Sequence, residues 1–339
     1  MEINTSRMPQ RALGATGLTV SRIGLGLAAL GRPGYINLGH ADDLHHDYDF
    51  AGMERRAHAV LDAAWAGGVR YFDAARSYGA AERFLASWLA SRAVAPEAAV
   101  VASKWGYTYT AGWKVEAEKH EVKDHSLPVL RRQSAESREL LGAHLDLYQI
   151  HSATLESGVL DDRAVLAELV RMREATGTRI GLSLSGPRQA ETLQRAMGVV
   201  IDGRRVFDCV QATWNLLAPS AGPALQAAHG AGMGVIVKEA LANGRLTARN
   251  RDAGFAAKRR LLEEEAARLH ATIDALALAA VLAQPWADVV LSGAATAEQL
   301  RSNLGAPAVQ WDEQAGRRLT GLGEEPREYW GTRGGMAWN

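Results

Sequence analysis

The sequence predicts a closed (β/α)8 TIM barrel with an N-terminal β-hairpin and long loops on its C-terminal face. Eight short β-rich runs, helical stripes between them, and surplus residues gathered after particular runs carry that expectation. The runs are SRIGLGL (21–27), RYFDAA (70–75), AVVASKWG (99–106), LDLYQIHS (145–152), TRIGLSLS (178–185), FDCVQATW (207–214), GVIVKEA (234–240) and DVVLSGA (288–294). They are apolar on both faces, as parallel strands are when helices cover them.

The elements follow in order. RALGATGLTV reads as two extended runs around a glycine turn, hence the hairpin. In ERRAHAVLDAAWAGG, Ala57, Val60, Leu61 and Ala64 recur at helical spacing, and Gly67 and Gly68 end the helix because glycine accepts a left-handed cap. Similar stripes run through Phe84, Leu85, Trp88 and Leu89, and through Val165, Leu166, Leu169 and Met172. A barrel needs roughly 250 residues, so about 90 of this chain embellish it. They lie after the first strand (GRPGYINLGHADDLHHDYDFAGM), after the third (YTYTAGWKVEAEKHEVKDHSLP) and at the end (GEEPREYWGTRGGMAWN). Loops that follow strands sit on the C-terminal face, where barrels keep their active sites. No linker or internal repeat divides the chain, and a single domain over 1–339 is expected.

Composition excludes several function classes. Hydrophobic residues make up 47% and charged residues 22%, enough for a globular core. Lys plus Arg equal Asp plus Glu at 38 each, which favours neither nucleic acid nor an anionic membrane as partner. Cys209 is the one cysteine, so neither an intrachain disulfide nor a cysteine zinc cluster can form, and a reducing, cytoplasmic setting is expected. The first residues hold no apolar core of signal-peptide length, and no run reaches the ~18 apolar residues of a membrane span. His45, His46, His120 and His125 lie near carboxylates, but without an H-E-x-x-H arrangement; solvated loops and no metal are expected.

Polar residues at strand ends are the informative feature. The second strand ends at Asp73, the third at Lys104 and the fourth at His151, with Tyr78 returning from the loop in GVRYFDAARSYG (68–79). Adjacent strands lie about 4.8 Å apart, so these side chains can converge on one pocket. A buried ammonium and a buried carboxylate are costly alone and tolerable as neighbours. The lysine would stabilise a phenolate and lower the tyrosine pKa from about 10, while Asp73 keeps the lysine charged and His151 orients a carbonyl. Each residue also has a plainer reading: a loop cap, a surface lysine, a core histidine, a packing ring. The coincidence of four at matching positions favours an active site.

GVRYFDAARSYG resembles the Asp-x4-Tyr-Gly signature of the aldo-keto reductases, and the order Asp73, Tyr78, Lys104, His151 is similar to that family's catalytic tetrad. LGATGLTVSRIGLG, VQATWNLL and GAATAEQLRSNL extend the resemblance along nearly the whole chain. It implies an NAD(P)-dependent oxidoreductase that reduces a small aldehyde or ketone, or oxidises the corresponding alcohol or aldose. Tyr78 would be the general acid, tuned by Lys104 and Asp73, with His151 positioning the carbonyl. The chain lacks a G-x-G-x-x-G strand–helix motif, so a Rossmann domain is not expected. Family resemblance instead places the dinucleotide across the barrel mouth. Ser183 and Gln211 would meet the carboxamide, Trp214 would stack on the nicotinamide, and Leu241, Asn243 and Gly244 would approach the pyrophosphate. Gly293, Gln299 and Asn303 would lie near the phosphates and adenine.

Two departures bear on the cofactor. Leu184 stands where the family often has Asn, and Ala295 and Thr296 stand where Ser and an Arg that grips a 2′-phosphate are frequent. Arg301 is a possible substitute for that Arg or a solvated helix charge. NAD and NADP both stay open, with NADP ahead on the family's habit. Trp105, Tyr35, Trp113, Tyr329 and Trp330 are candidate pocket walls, for a small carbonyl or sugar substrate. Resemblance implies a monomer. Two other readings stay open: a nucleotide-binding regulatory barrel without turnover, and an aldolase using Lys104 as a Schiff base.

Overall fold

The computed structural model describes residues 8–339. Eight parallel strands close a barrel: Ile23–Gly26, Tyr71–Asp73, Val100–Trp105, Leu145–Ala153, Arg179–Leu184, Cys209–Thr213, Gly234–Lys238 and Val289–Ser292, the last pairing with the first. Seven of the eight expected runs contain one of these strands, and the fourth strand extends one residue past its run, to Ala153. The expected hairpin forms from Gln10–Ala12 and Thr19–Ser21.

Two apolar layers account for the doubly apolar strands. Tyr71, Ala102, Leu147, Cys209, Ile236, Val289 and Leu291 fill the barrel interior, and the hairpin's Leu13 and Val20 close it from below. Phe72, Val101, Tyr148, Ile150, Val210 and Val237 face the helices instead. Side chains alternate along a strand, so each interior residue predicts the next interior position two residues on. Following Tyr71, Ala102, Leu147, Cys209 and Ile236, that rule brings Asp73, Lys104, Gln149, Gln211 and Lys238 to the upper rim.

The helix Phe50–Ala66 illustrates local specification. The Asp49 carboxylate accepts the Gly52 N–H at 2.8 Å as an N-cap, while Met53, Ala57, Val60, Leu61 and Ala64 are buried. Gly68 takes the left-handed conformation (φ +82°), turning the chain into the second strand.

The long loops carry structure of their own. The short helix His40–Asp43 follows the first strand, and an antiparallel ribbon, Tyr107–Tyr109 with Glu121–Lys123, follows the third. After the helix Pro326–Gly334, the C-terminal tail crosses to the first loop, where Asn339 exchanges two backbone hydrogen bonds with Tyr35. Among the described residues, no helix is long and apolar enough to cross a membrane.

One close backbone contact sets the position of Tyr78. The Ala80 N–H donates to the Gly31 carbonyl at 2.7 Å, and a Cβ on Gly31 would overlap the Tyr78 carbonyl oxygen and lie 2.5 Å from Ala81 Cβ. Gly31→Ala should therefore destabilise the protein by about 1–3 kcal/mol and lower activity through a displaced tyrosine. Denaturant unfolding and kcat measured on the same preparation test this; an unaffected variant would show that the loops are not coupled here.

Candidate active site

Strand register brings the four expected side chains together above the barrel interior. Asp73 pairs with Ala102, placing Lys104 one interior step higher on the neighbouring strand, and Lys104 pairs with Gln149, two residues before His151. The Lys104 ammonium donates to Asp73 Oδ1 through a short ionic hydrogen bond, to the Ala74 carbonyl at 2.9 Å, and to the Tyr78 hydroxyl at 3.5 Å. Asp73 Oδ2 accepts from the side-chain amides of Gln149 (3.2 Å) and Gln211 (2.8 Å). These bonds support a carboxylate and an ammonium that are both buried.

The Tyr78 hydroxyl lies 3.5 Å from His151 Nε2, and the two rings meet edge to face. On the far side, Ser77 Oγ is 3.3 Å from His151 Nδ1. Ser77 is fully buried, and this contact is the one its hydroxyl makes among the described residues. With the hydroxyl donating to Nδ1, the ring hydrogen sits on Nε2, beside the phenol. Burial, reinforced by the charges of Lys104, Lys238 and Arg32, holds His151 well below the usual histidine range. It is a neutral donor.

The phenol departs from expectation. Burial and then the Asp73 carboxylate hold Tyr78 well above the ordinary tyrosine range, against a downward pull from Arg32. The Lys104 ammonium, 3.5 Å from the hydroxyl, is itself paired with Asp73, and the Asp73 charge acts on the phenol in the opposite sense. Tyr78 is a firmly protonated acid.

A cleft of about 900 Å³ opens over this group. Asp73, Tyr78, His151 and Gln211 line it, as do Leu241, Asn243, Gly244, Gly293, Gln299 and Asn303. Other expectations need correction, and the residues concerned stand outside the cleft lining. Ser183 is buried outside the lining, with its Oγ accepting the Ser152 N–H at 2.8 Å. Trp214 packs edge to face on Trp286, and its indole donates to the Pro219 carbonyl, so it is no platform in the cleft. Trp105, a suggested wall, is fully buried against His125, because a residue next to inward-facing Lys104 must point outward. Trp113 packs on Phe50, and Tyr329 is buried on Asn215.

The walls also include residues that the sequence reading did not single out. Arg32, from the first loop, donates to Glu121 at 3.0 Å and lies over the rings of Tyr78, Tyr35 and Trp338. Tyr107, Lys238, Glu239 and Arg333 line the same end. Lys238 carried a legible signal: GVIVK ends an apolar strand in a lysine just as VVASK does. At the other end stand Asp42, Asp43, Asp274 and Glu298, with Arg249 held by two bonds to Asp43. Arg301 is exposed and outside the lining. Among the described residues, no cluster of His, Cys, Asp and Glu could hold a metal ion.

Three buried histidines make stability pH-dependent. Burial is the main cause lowering His40 and His125 from 6.5 to about 4 each, and it lowers His151 well below that ordinary value. Between those values the unfolded chain binds the proton and the native one does not, so the histidines' contribution to stability is complete above about pH 6.5 and is lost as acid is added. Each of His40 and His125 contributes roughly 3 kcal/mol of that loss. Tm should drop between pH 7 and pH 4.5, and His125→Gln should flatten the drop; equal slopes in both proteins would count against it.

Comparison with known proteins agrees with the barrel fold. Residues 22–324 match the model of the Aldo/keto reductase family. The pyridoxal 4-dehydrogenase of Microbacterium luteolum is 33% identical over 163 residues, which span 42% of this chain and 42% of that protein. The uncharacterized oxidoreductase YrpG of Bacillus subtilis (strain 168) is 28% identical over 94% of this chain and 98% of its own length. In fold, the chain is similar to the holo form of aldo-keto reductase AKR11C1 from Bacillus halodurans, with TM-score 0.71 at 21% identity, covering 94% of this chain and 97% of the other.

Proposed function

Since this chain belongs to the aldo/keto reductase family and is an oxidoreductase, we propose that it transfers hydride between a nicotinamide dinucleotide and a small carbonyl compound or its alcohol, with Tyr78 as the proton donor and acceptor. The observation that carries this reading is the convergence of Asp73, Lys104, Tyr78 and His151 at one end of an elongated cleft.

The lining suits a dinucleotide. A side chain on Gly293 would meet nothing within 4 Å, so that glycine leaves open space beside the backbone. Asn243 is buried with an Oδ1 that lacks a hydrogen-bond partner, although its amide nitrogen holds the Ile36 carbonyl. Asn243, Gly244, Gly293, Gln299 and Asn303 would hold the adenosine and phosphate portions, with Leu241 and Gln211 nearer the reacting end. When bound, the nicotinamide supplies or accepts the hydride.

The chain's own residues handle the proton. Tyr78 and neutral His151 present two donors toward one point in the cleft, where a carbonyl oxygen would accept from both. As negative charge develops on that oxygen, the phenol releases its proton and Lys104 stabilises the resulting phenolate. A raised tyrosine pKa suits the reducing direction, since an alkoxide is a stronger base than any phenolate. The Lys104 amine is completely buried and bonded on three sides, which speaks against Schiff-base chemistry there.

We read NAD rather than NADP as the preferred dinucleotide, reversing the order that family habit favours. Asp42, Asp43, Asp274 and Glu298 would repel a 2′-phosphate at the far end of the cleft, and Arg249 beside them is neutralised by Asp43. Consumption of NADH and NADPH against a panel of aldehydes tests both statements. NADH should give at least tenfold higher kcat/KM. Binding without turnover on a broad panel would leave the regulatory-barrel reading in possession.

A further inference from the structure

Among the described residues, four lysine and arginine side chains line the cleft, and three are balanced by a carboxylate of their own. Arg32 faces Glu121, Arg249 faces Asp43, and Arg333 holds Glu239 Oε1 through two nitrogens at 2.9 and 2.6 Å. Lys238 is the exception. Its ammonium donates to Thr213 Oγ1 at 2.9 Å, while the nearest carboxylate oxygen, on Glu239, is 3.8 Å away. Glu239 is already committed, because Thr213 donates to its other oxygen at 2.9 Å. The Lys238–Glu239–Arg333 group therefore carries one positive charge in excess, on a lysine with donors to spare.

That excess is costly where it stands. The Lys238 side chain is only 16% exposed, and burial brings its pKa down to about 8, opposed by Glu239. A buried charge without a full counter-charge persists against a substantial penalty unless a ligand completes it. The backbone adds a second, independent sign. Glu239, Ala242 and Asn243 all take positive φ (55°, 48° and 55°), a conformation that costs non-glycine residues energy and that clusters at ligand clamps.

Interior alternation aims Lys238 at the reacting end rather than the acidic end of the cleft. It lies two residues beyond inward-facing Ile236, and its charge acts on His151 and Asp73. Tyr35, Tyr107 and Trp338 give that end flat aromatic walls. We propose that Lys238 is a specificity-determining residue that binds an oxyanion of the carbonyl substrate, a carboxylate or a phenolate, held on the same molecule as the reacting carbonyl. This rests on the carbonyl-reducing reading of the site and adds the charge class of its substrate.

The test compares matched aldehydes that differ in charge. One pair is 4-carboxybenzaldehyde with its neutral methyl ester, for the carboxylate; the other is 4-hydroxy-3-nitrobenzaldehyde, ionised at neutral pH, with 4-methoxy-3-nitrobenzaldehyde, for the phenolate. Wild type should favour the anionic member of at least one pair in kcat/KM. Lys238→Met should lower that preference at least tenfold, chiefly through KM, and Lys238→Arg should restore part of it. The pair that responds identifies the oxyanion. A preference unchanged by Lys238→Met overturns the proposal, as does an effect confined to the dissociation constant of NADH, which would assign the ammonium to the cofactor. Benzoate binding by calorimetry keeps the question separate from turnover. If no aldehyde reacts, the reductase reading fails, while tighter benzoate binding by wild type than by Lys238→Met still upholds the anion site and equal binding removes it.

Discussion

Replacing Tyr78 with Phe should reduce kcat by about 10²- to 10⁴-fold, the usual contribution of a positioned proton donor. The change deletes one oxygen and leaves the ring, which packs edge to face on His151 and beneath Arg32. Fold and cofactor affinity should therefore survive. Because the native phenol is held firmly protonated, the defect should fall on kcat and be equally severe for every carbonyl compound reduced. Steady-state kinetics, a melting curve and fluorescence titration with NADH separate these effects. Loss of less than tenfold, with the fold intact, would remove Tyr78 from the chemistry.

The second large effect concerns the buried pair beneath it. Lys104→Met leaves the Asp73 carboxylate buried without its ion-pair partner, held by the side-chain amides of Gln149 and Gln211, and should cost about 3–5 kcal/mol of stability. Asp73→Asn strands the ammonium and should cost a similar amount. Joining the two substitutions removes both charges, so more than half of the lost stability should return while activity does not. Urea unfolding of the four proteins measures the coupling. Additive losses would mean that the two charges do not depend on each other, contrary to the contact between them.

Much of this architecture is readable along the chain because the signals are local. Apolar runs of strand length, three-and-four helical spacing and the Asp49 and Gly68 caps each depend on neighbours a few residues away. The tetrad was legible for a related reason: an ionisable residue that ends an apolar run has few uses in a core. Lys238 carried the same signal and went unread beside the glycine-bearing loop that follows it. Placement of the aromatic residues was less legible. Trp105 and Trp214 fall on the outward parity of their strands, and alternation anchored on Lys104 and Gln211 distinguishes inside from outside once the register is known.

The sequence by itself determined the strands, the helices, the hairpin and the identity of the ionisable residues at the barrel rim, since hydrophobic periodicity and chain stiffness act over short distances. The tertiary structure alone decided which charges neutralise one another. Arg32 meets Glu121, Arg249 meets Asp43 and Arg333 meets Glu239 across long stretches of chain. Electrostatic energy depends on separation in space and on burial rather than on order in the chain. For that reason the protonated Tyr78, the acidic far end of the cleft and the unbalanced Lys238 became visible only after the barrel had closed.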